Sequence, residues 1–354
     1  MNPSLAVELS GDVPLSQAPA SPRARLWPFG LWLCAFYGAW SALVLLGDLW
    51  PVVAAHWPIA AAMAVGSYVA GSTPMGGGTV GFPIIVLLFD QPATIGRGFS
   101  FAVQAIGMSS AAIYILCSRQ PVAWRLLRWS FLGAAVGTPL GLALLAPHAP
   151  DAAVKLVFAV LWASFGVMTL VKVLEFARYQ GRTAVPAARE RNLGLAIGLV
   201  GGGCVASLTG VGTDMLVYTA LVLLYRADLR TAIPTSVVLM AFTSLVGVAA
   251  GVLLEQWDAA RYPIAPEVWA NWLAAAPVVA LGAPFGALVV QKVGRVPTLL
   301  MVSVLCVGQF VWTCLDLNLS AVGVGLAVGG VLLANLGFHA CYRVGRRWAG
   351  ASAG

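Results

Sequence analysis

Two glycine-rich breaks interrupt long apolar stretches of this chain, and their residue types are suited to binding a small anion. Glycine lets the main chain approach a ligand closely, and serine and threonine hydroxyls add hydrogen-bond donors. A helix that resumes after a break also points free N–H groups and about half a positive charge at the same place. We therefore predict an anion site built from both breaks. Its candidate residues are Ser72, Thr73, Gly76, Gly77, Gly78 and Thr79 in the first break, and Thr209, Gly210, Gly212 and Thr213 in the second.

The alternative for these small residues is that they only allow helices to pack closely. A lone pair of glycines would favour packing. The run STPMGGG at residues 72–78 combines hydroxyls, a proline and three glycines, and this combination favours a site.

Three polar residues lie next to the breaks. Asp214 is the only carboxylate well inside an apolar stretch, and a buried membrane aspartate is costly and usually functional. We predict that it is a proton-coupling group; the alternative is an N-cap that accepts helix N–H bonds. Gln104, one turn after Ser100, is predicted to bind the substrate, or else to make an interhelical hydrogen bond. Arg97 either attracts anions at the outer mouth or reaches the membrane interface as a snorkelling side chain.

The composition is that of a membrane protein. The 354 residues are 60% hydrophobic and only 9% charged, with a mean hydropathy of +0.88, and apolar runs of about 20 residues recur along the chain. We predict an all-α polytopic fold in contact with the lipid bilayer. The net charge of +7 could suggest nucleic acid, but the basic residues form no single patch, so no nucleic-acid partner is expected. The six cysteines form no CxxC pair or Cys/His cluster, so we expect neither metal nor cofactor.

The apolar segments divide into full spans and two interrupted stretches. Residues 58–90 and 193–225 contain the breaks, and the first leg, 58–72, would be about 22 Å long, too short to cross. Each stretch is therefore a re-entrant hairpin or one broken helix that crosses. The predicted full spans are 29–49, 98–117, 130–147, 152–175, 233–254, 270–291, 297–315 and 319–340.

The basic residues favour returning hairpins. With the N-terminus inside and both hairpins returning to their starting side, every Lys and Arg except Arg97, Lys155 and Arg261 faces the cytoplasm. If each hairpin crossed once, several basic loops would face the other side. We predict a multi-pass protein of the cytoplasmic membrane with both termini inside, although two closely paired full crossings would give the same sidedness.

This topology predicts an inverted repeat, because the first unit starts outside and the second inside. Gly76, Gly78, Thr79 and Leu87 each lie 134 positions before a matching Gly210, Gly212, Thr213 and Leu221. The predicted divisions are a disordered cytoplasmic N-terminus (1–28), a first transmembrane helix (29–50), repeat 1 (58–175), a cytoplasmic linker (176–192), repeat 2 (193–315), and a last helix with a basic cytoplasmic tail (316–354).

The motifs resemble those of the TauE/SafE family of permeases, the sulfite exporters, over roughly residues 58–315. The first motif is GGG at 76–78, then Pro83, DQPA from residue 90 and a serine-containing helix; the second is LTGVG at 208–212, followed by IPTS at 233–236. The resemblance implies an inverted-repeat permease for a small anion such as sulfite, sulfoacetate or a related sulfonate. The second break lacks a full triple glycine and is followed by Asp214, so the resemblance alone does not determine substrate or coupling.

Enzyme functions fit the sequence poorly. GVGTD at 210–214 is close to the Gly-x-Gly-Asp signature of intramembrane aspartyl proteases, but a threonine intrudes and no second carboxylate lies at membrane depth. No serine-protease motif is present, and no Lys-Ser/Thr follows the triple glycine as in a P-loop. We predict a transporter rather than an enzyme. An anion channel with the same core, or a scaffold or sensor, stays open, as do transport direction and oligomeric state.

Overall fold

A computed structural model describes residues 25–293 and 295–351, and this part of the chain is helical without strands. Nine of its helices are long and apolar enough to cross a membrane, which confirms the predicted all-α polytopic class. The helices are α1 (Trp27–Leu46), α2 (Trp50–Ala55), α3 (Trp57–Ser72), α4 (Gly78–Pro83), α5 (Ala93–Cys117), α6 (Trp124–Leu144), α7 (Asp151–Phe176), α8 (Ala187–Val200), α9 (Thr213–Leu223), α10 (Leu229–Trp257), α11 (Pro266–Val293), α12 (Arg295–Asp316) and α13 (Ala321–Ala351).

Several helices run further than the predicted spans, and α8 and α13 do so into segments predicted as linker and tail. Helix α8 begins at Ala187, after Pro186, and continues through a π-helical segment, Gly201–Ala206, to Thr209. Its 23 residues are long enough to span, and its first turns lie within the segment predicted as linker 176–192. Helix α13 continues to Ala351, so the basic residues predicted to form a tail are helical. Of the predicted N-terminal segment 1–28, residues 1–24 lie outside the described part.

Helix α5 lies at the centre of the bundle. In its apolar window 83% of the residues are buried, against 11% in the windows of α1 and α13, which pack at the periphery. Helices α10 and α11 pack along α5, and α4 lies against it. A side chain on α5 can therefore contact both halves of the chain.

The two halves pack reciprocally. Helix α3 packs on α11 as α8 packs on α6, and α5 packs on α11 as α10 packs on α6. A pentapeptide of the form Gly-x-Pro-x-Gly, which the sequence analysis missed, occurs at 137–141 in α6 and at 282–286 in α11. Each copy contacts the first leg of the other half's break: a Cβ on Gly141 would lie 2.5 Å from Ser207 Oγ, and one on Gly286 would lie 3.2 Å from the Ser72 nitrogen.

One end of the bundle holds the charged loops together. Glu190, only 2% exposed, forms ion pairs with Arg125 at 3.4 Å and Arg182 at 2.8 Å. Glu175 lies 3.7 Å from Arg226 and accepts a hydrogen bond from the Tyr179 hydroxyl. Burial and this hydrogen bond raise the pKa of Tyr179, so the hydroxyl stays a neutral donor. The distribution of Lys and Arg predicts that these loops lie on the same side of the membrane, and in the structure they contact one another.

Close packing of α6 against α8 yields a stability prediction. A Cβ on Gly198 would collide with the Ser130 carbonyl oxygen and lie 2.5 Å from the Ala134 nitrogen, main-chain atoms that cannot rotate away. We expect Gly198→Leu to destabilise the protein by about 1–3 kcal/mol or more, measured as a lower Tm in detergent. Gly329→Leu, on α13, is the control, because nothing lies within 4 Å of its Cβ position. Equal melting of the two variants would contradict the predicted close contact.

Candidate functional site

The structure brings the two glycine breaks into contact with each other. A Cβ placed on Gly78 would lie 3.0 Å from Val211 Cβ, and one on Gly76 would lie 2.6 Å from Asp214 Oδ2. The predicted candidates from both breaks are therefore neighbours in space.

The first break is a turn between α3 and α4. Helix α3 ends at Ser72, Thr73 is extended, and Gly76 has a φ of +65°, which favours glycine. Helix α4 then starts at Gly78 and continues as a π-helical turn, Ile84–Leu88.

The second break reverses the chain between Thr209 and α9. Gly210 and Gly212 have φ values of +78° and +111°. Gly210 also packs directly on α5: a Cβ there would collide with the Arg97 carbonyl oxygen and lie 2.7 Å from Ser100 Cβ. Only glycine satisfies both the backbone conformation and the close approach.

Most of the predicted hydroxyl donors are already engaged with the main chain. Each donates its proton to a carbonyl oxygen four residues earlier, so in this conformation it is not available to a ligand. Ser72 donates to Tyr68 O at 2.7 Å, Thr73 to Val69 O at 2.8 Å, Thr209 to Val205 O at 3.0 Å, and Thr79 to Met75 O. The Thr213 hydroxyl, by contrast, is buried without a partner among the described residues.

Gln104 joins α5 to the second break. Its Nε2 donates to Ser100 O and to Gly210 O, both at 3.0 Å. The interhelical hydrogen bond considered from the sequence is therefore present. The same side chain also contacts the first break, because a Cβ on Gly78 would lie 2.7 Å from Nε2.

Asp214 is completely buried at the start of α9. Its Oδ1 accepts hydrogen bonds from the main-chain nitrogens of Gly212, at 3.2 Å, and Met215, at 2.9 Å. Oδ1 therefore accepts from main-chain N–H groups at the start of α9, as a capping side chain does. The other, Oδ2, has no donor in the part of the chain that the structure describes.

Trp162 of α7 contacts both breaks, and the sequence analysis did not single it out. Its Nε1 donates to Thr79 Oγ1 at 2.8 Å, and its ring lies 3.0 Å from the Cβ position of Gly212. Phe158 stacks on the ring at 4.0 Å. A lone tryptophan in an apolar helix has no sequence pattern that separates it from a packing residue.

A cavity of about 360 Å³ lies at the start of α5, where the main chain of Arg97 contacts Gly210 of the second break. Arg97 and Arg261 line it together with aromatic residues that include Phe101, Tyr262 and Trp269. Arg97 is half-buried, and its guanidinium forms no ion pair or hydrogen bond within residues 25–293 and 295–351. From the sequence, Arg97 either attracts anions at the outer mouth or is a snorkelling side chain at the interface, and no pattern connects it with Arg261.

The cavity and the charged loops are at opposite ends of α5. Arg97 lies near the start of this helix, and Cys117 at its other end precedes the loop that leads to Arg125. The 25 residues of α5 span about 37 Å. The cavity therefore lies at the end of α5 that is distant from the Glu190 and Glu175 ion pairs.

Residues 59–313 match the family described as sulfite exporter TauE/SafE. The chain belongs to this family. No curated protein and no solved structure matches the chain. The TauE/SafE match includes both breaks and α5, and it implies a membrane permease for sulfite-type anions. Helices α1 and α13 lie outside it.

The close approach of the second break to α5 can be separated from its backbone strain. Gly181 and Gly210 both have positive φ, +67° and +78°, but the Cβ position of Gly181 has nothing within 4 Å. Gly181→Ala should cost about 1–2 kcal/mol of unfolding free energy from the backbone alone. Gly210→Ala should cost clearly more and lower transport, because the methyl group collides with α5. Similar Tm values for the two variants would show that the break does not depend on this contact.

Proposed function

We propose that this TauE/SafE permease moves a small anion, sulfite or an organosulfonate-type anion, across the cytoplasmic membrane by alternating access. The observation that carries the proposal is the unpaired guanidinium of Arg97, a residue that lines the cavity and whose carbonyl oxygen lies against Gly210 of the second break. The family match supports the transport class.

Arg97 supplies the chemistry that an anion needs. A half-buried charge in an apolar setting is costly unless a partner of opposite charge accompanies it. No acidic side chain of the described residues pairs with Arg97, so the natural counter-charge is the substrate. The guanidinium offers several donors in a planar fork that matches the oxygens of a sulfite or sulfonate group.

The breaks are the proposed gate and inner binding site. The main-chain N–H groups at Gly76–Thr79 and Gly210–Thr213 would receive the anion once the two breaks separate. Those of Gly210, Val211 and Gly212 would exchange their present acceptors, Ala206 O, Thr209 Oγ1 and Asp214 Oδ1, for the anion. In the present conformation they are in contact, with hydroxyls turned toward the main chain. The substrate would pass from the Arg97 cavity to these N–H groups as the contact opens.

The inverted repeat and the orientation belong to the same proposal. The reciprocal pairing of α3 with α11 and of α8 with α6 supports two units related by a pseudo-two-fold axis, each containing one of the two breaks. The charged end would face the cytoplasm, with both termini, and the Arg97 cavity would face outside. Asp214 is the proposed proton-coupling group of the cycle.

A flux assay tests the transport function. Purified protein in proteoliposomes should accumulate or export one member of a panel of sulfite, sulfoacetate, thiosulfate, sulfate and small carboxylates against its gradient. An uncoupler should abolish this uphill movement. Ohmic single-channel current without uphill movement would replace the permease with the anion channel that shares its core.

Arg97 and Arg261 line the same cavity and make a matched pair of variants. Arg97→Gln should weaken anion affinity by about tenfold to one hundredfold, because a half-buried charge-assisted hydrogen bond is lost. Arg261→Gln should change it by less than about fivefold, because this arginine is exposed and lies over the Tyr262 ring at 5.4 Å. The measurement is the concentration dependence of flux. An equal effect of the two substitutions would argue against Arg97 as the anion ligand.

A further inference from the structure

Two buried hydrogen-bond acceptors lie next to Gly76 at the contact between the breaks. Asp214 Oδ2 lies 2.6 Å from the position that a Cβ on Gly76 would occupy, and Gln104 Oε1 lies closer still to the same point. Both oxygens are buried, and neither has a hydrogen-bond donor in the described part of the chain. Buried polar atoms without partners are rare, and each requires a physical explanation.

The orientation of the Gln104 amide is determined by two carbonyl groups. Its Nε2 donates to Ser100 O and Gly210 O, each at 3.0 Å. Exchanging the amide oxygen and nitrogen would place Oε1 against both carbonyl oxygens and lose two hydrogen bonds. Oε1 therefore lies beside Gly76, where Asp214 Oδ2 also lies.

The orientation of the Asp214 carboxyl group is determined in the same way. Its Oδ1 is held by the main-chain N–H groups of Gly212 and Met215, which leaves Oδ2 beside Gln104. An ionised carboxylate would set two acceptors against each other in an apolar interior. A protonated carboxyl group has one O–H donor and can satisfy both oxygens at once.

No charged side chain of the described residues pairs with Asp214. The titratable groups on neighbouring positions are Tyr218, one turn along α9, and Cys306 of α12, whose Sγ lies 3.7 Å from Met75 Sδ in the first break. On α5 the charged group is Arg97, whose carbonyl oxygen lies against Gly210. The charged groups on the other elements packed against α9 lie toward helix ends: Arg189, Glu190 and Arg191 of α8, Arg230 and Glu255 of α10, and Arg343, Arg346 and Arg347 of α13.

We infer that Asp214 is protonated in this conformation and donates from Oδ2 to Gln104 Oε1, so that a proton holds α9 against α5 beside Gly76. Loss of the proton to water leaves two facing acceptors, which repel each other and favour separation of the breaks. Proton release and opening are then linked, and each favours the other. The use of this linkage in transport rests on the proposed permease function, while the protonated pair itself does not.

A proton explains the pair better than a metal cation does. Hard cations such as Ca²⁺ and Mg²⁺ take six or more oxygen ligands, whereas two side-chain oxygens converge here. Within the described residues no three acidic, histidine or cysteine side chains are grouped to hold a metal. A shared proton requires only the two oxygens that are present.

Infrared difference spectroscopy of the lipid-reconstituted protein, recorded across a series of pH values, tests the protonated pair directly. We expect a protonated-carboxyl band that disappears as the pH rises and is absent from Asp214→Asn. Gln104→Leu should shift its frequency, because the acceptor is lost. Asp316→Asn, an exposed acid at the end of α12, should leave the band unchanged. A wild-type protein without the band, or a band that persists in Asp214→Asn, would overturn the inference.

Transport by Asp214→Asn separates a proton switch from a simple helix cap. Asparagine keeps an oxygen that can accept from the Gly212 and Met215 nitrogens, and its amide can donate to Gln104 Oε1 without ever releasing a proton. The variant should therefore melt like wild type and bind the anion at Arg97, yet lose flux at every pH. Wild-type flux with an unchanged pH profile would refute the switch.

The two proposals can fail separately. If no anion of the panel is transported but the carboxyl band is present and responds to Gln104→Leu, the permease proposal fails and the proton pair stands. If an anion is transported uphill and no band belongs to Asp214, the permease proposal stands and the proton pair fails. Replacing sodium with another cation should change neither readout; a sodium requirement that Asp214→Asn removes would assign the site to a metal cation instead.

Discussion

A helix that breaks inside an apolar bundle must find partners for its free main-chain groups, and this constraint shapes the centre of the protein. The threonine hydroxyls of the breaks satisfy carbonyl oxygens of the preceding turns, and Gln104 Nε2 satisfies the carbonyl of Gly210. Both breaks rest on α5, at Ser100 and Gln104. Because no water is available in hydrocarbon, a substitution on this face of α5 affects both breaks at once.

The basic and the acidic residue near the breaks, Arg97 and Asp214, do not pair with each other. Arg97, at the start of α5, lines the cavity and has no acidic partner in the described residues, whereas Asp214 is buried beyond Gly210 and has no basic one. If they formed a salt bridge, Arg97 would not be free to bind an anion and Asp214 would not be free to bind a proton. Their separation supports a permease in which the anion is bound by the arginine and the cycle is controlled by the aspartate.

Packing restricts where such a protein can move. Helices α3 and α11, like α6 and α8, approach through glycines whose Cβ positions are filled by main-chain atoms, so these pairs behave as rigid units. The basic end is tied by the ion pairs of Glu190. The contact between the breaks also contains buried polar groups, and two of their oxygens, Asp214 Oδ2 and Gln104 Oε1, have no hydrogen-bond donor among the described residues. Gain or loss of one proton can therefore alter this contact between the breaks.

The sequence by itself determined the helical membrane class and the position of the two breaks, and it singled out Asp214 and Gln104 as candidates, because hydropathy, glycine content and a lone acid in an apolar stretch are local properties of the chain. It did not predict that α8 begins at Ala187 or that α13 continues to Ala351, because helix ends depend on neighbouring surfaces. Only the tertiary structure decided the direction of the Gln104 amide, the engagement of the hydroxyls, and the meeting of Arg97 with Arg261 in one cavity. Each of these depends on contacts between distant residues or on local geometry that hydropathy and composition do not specify.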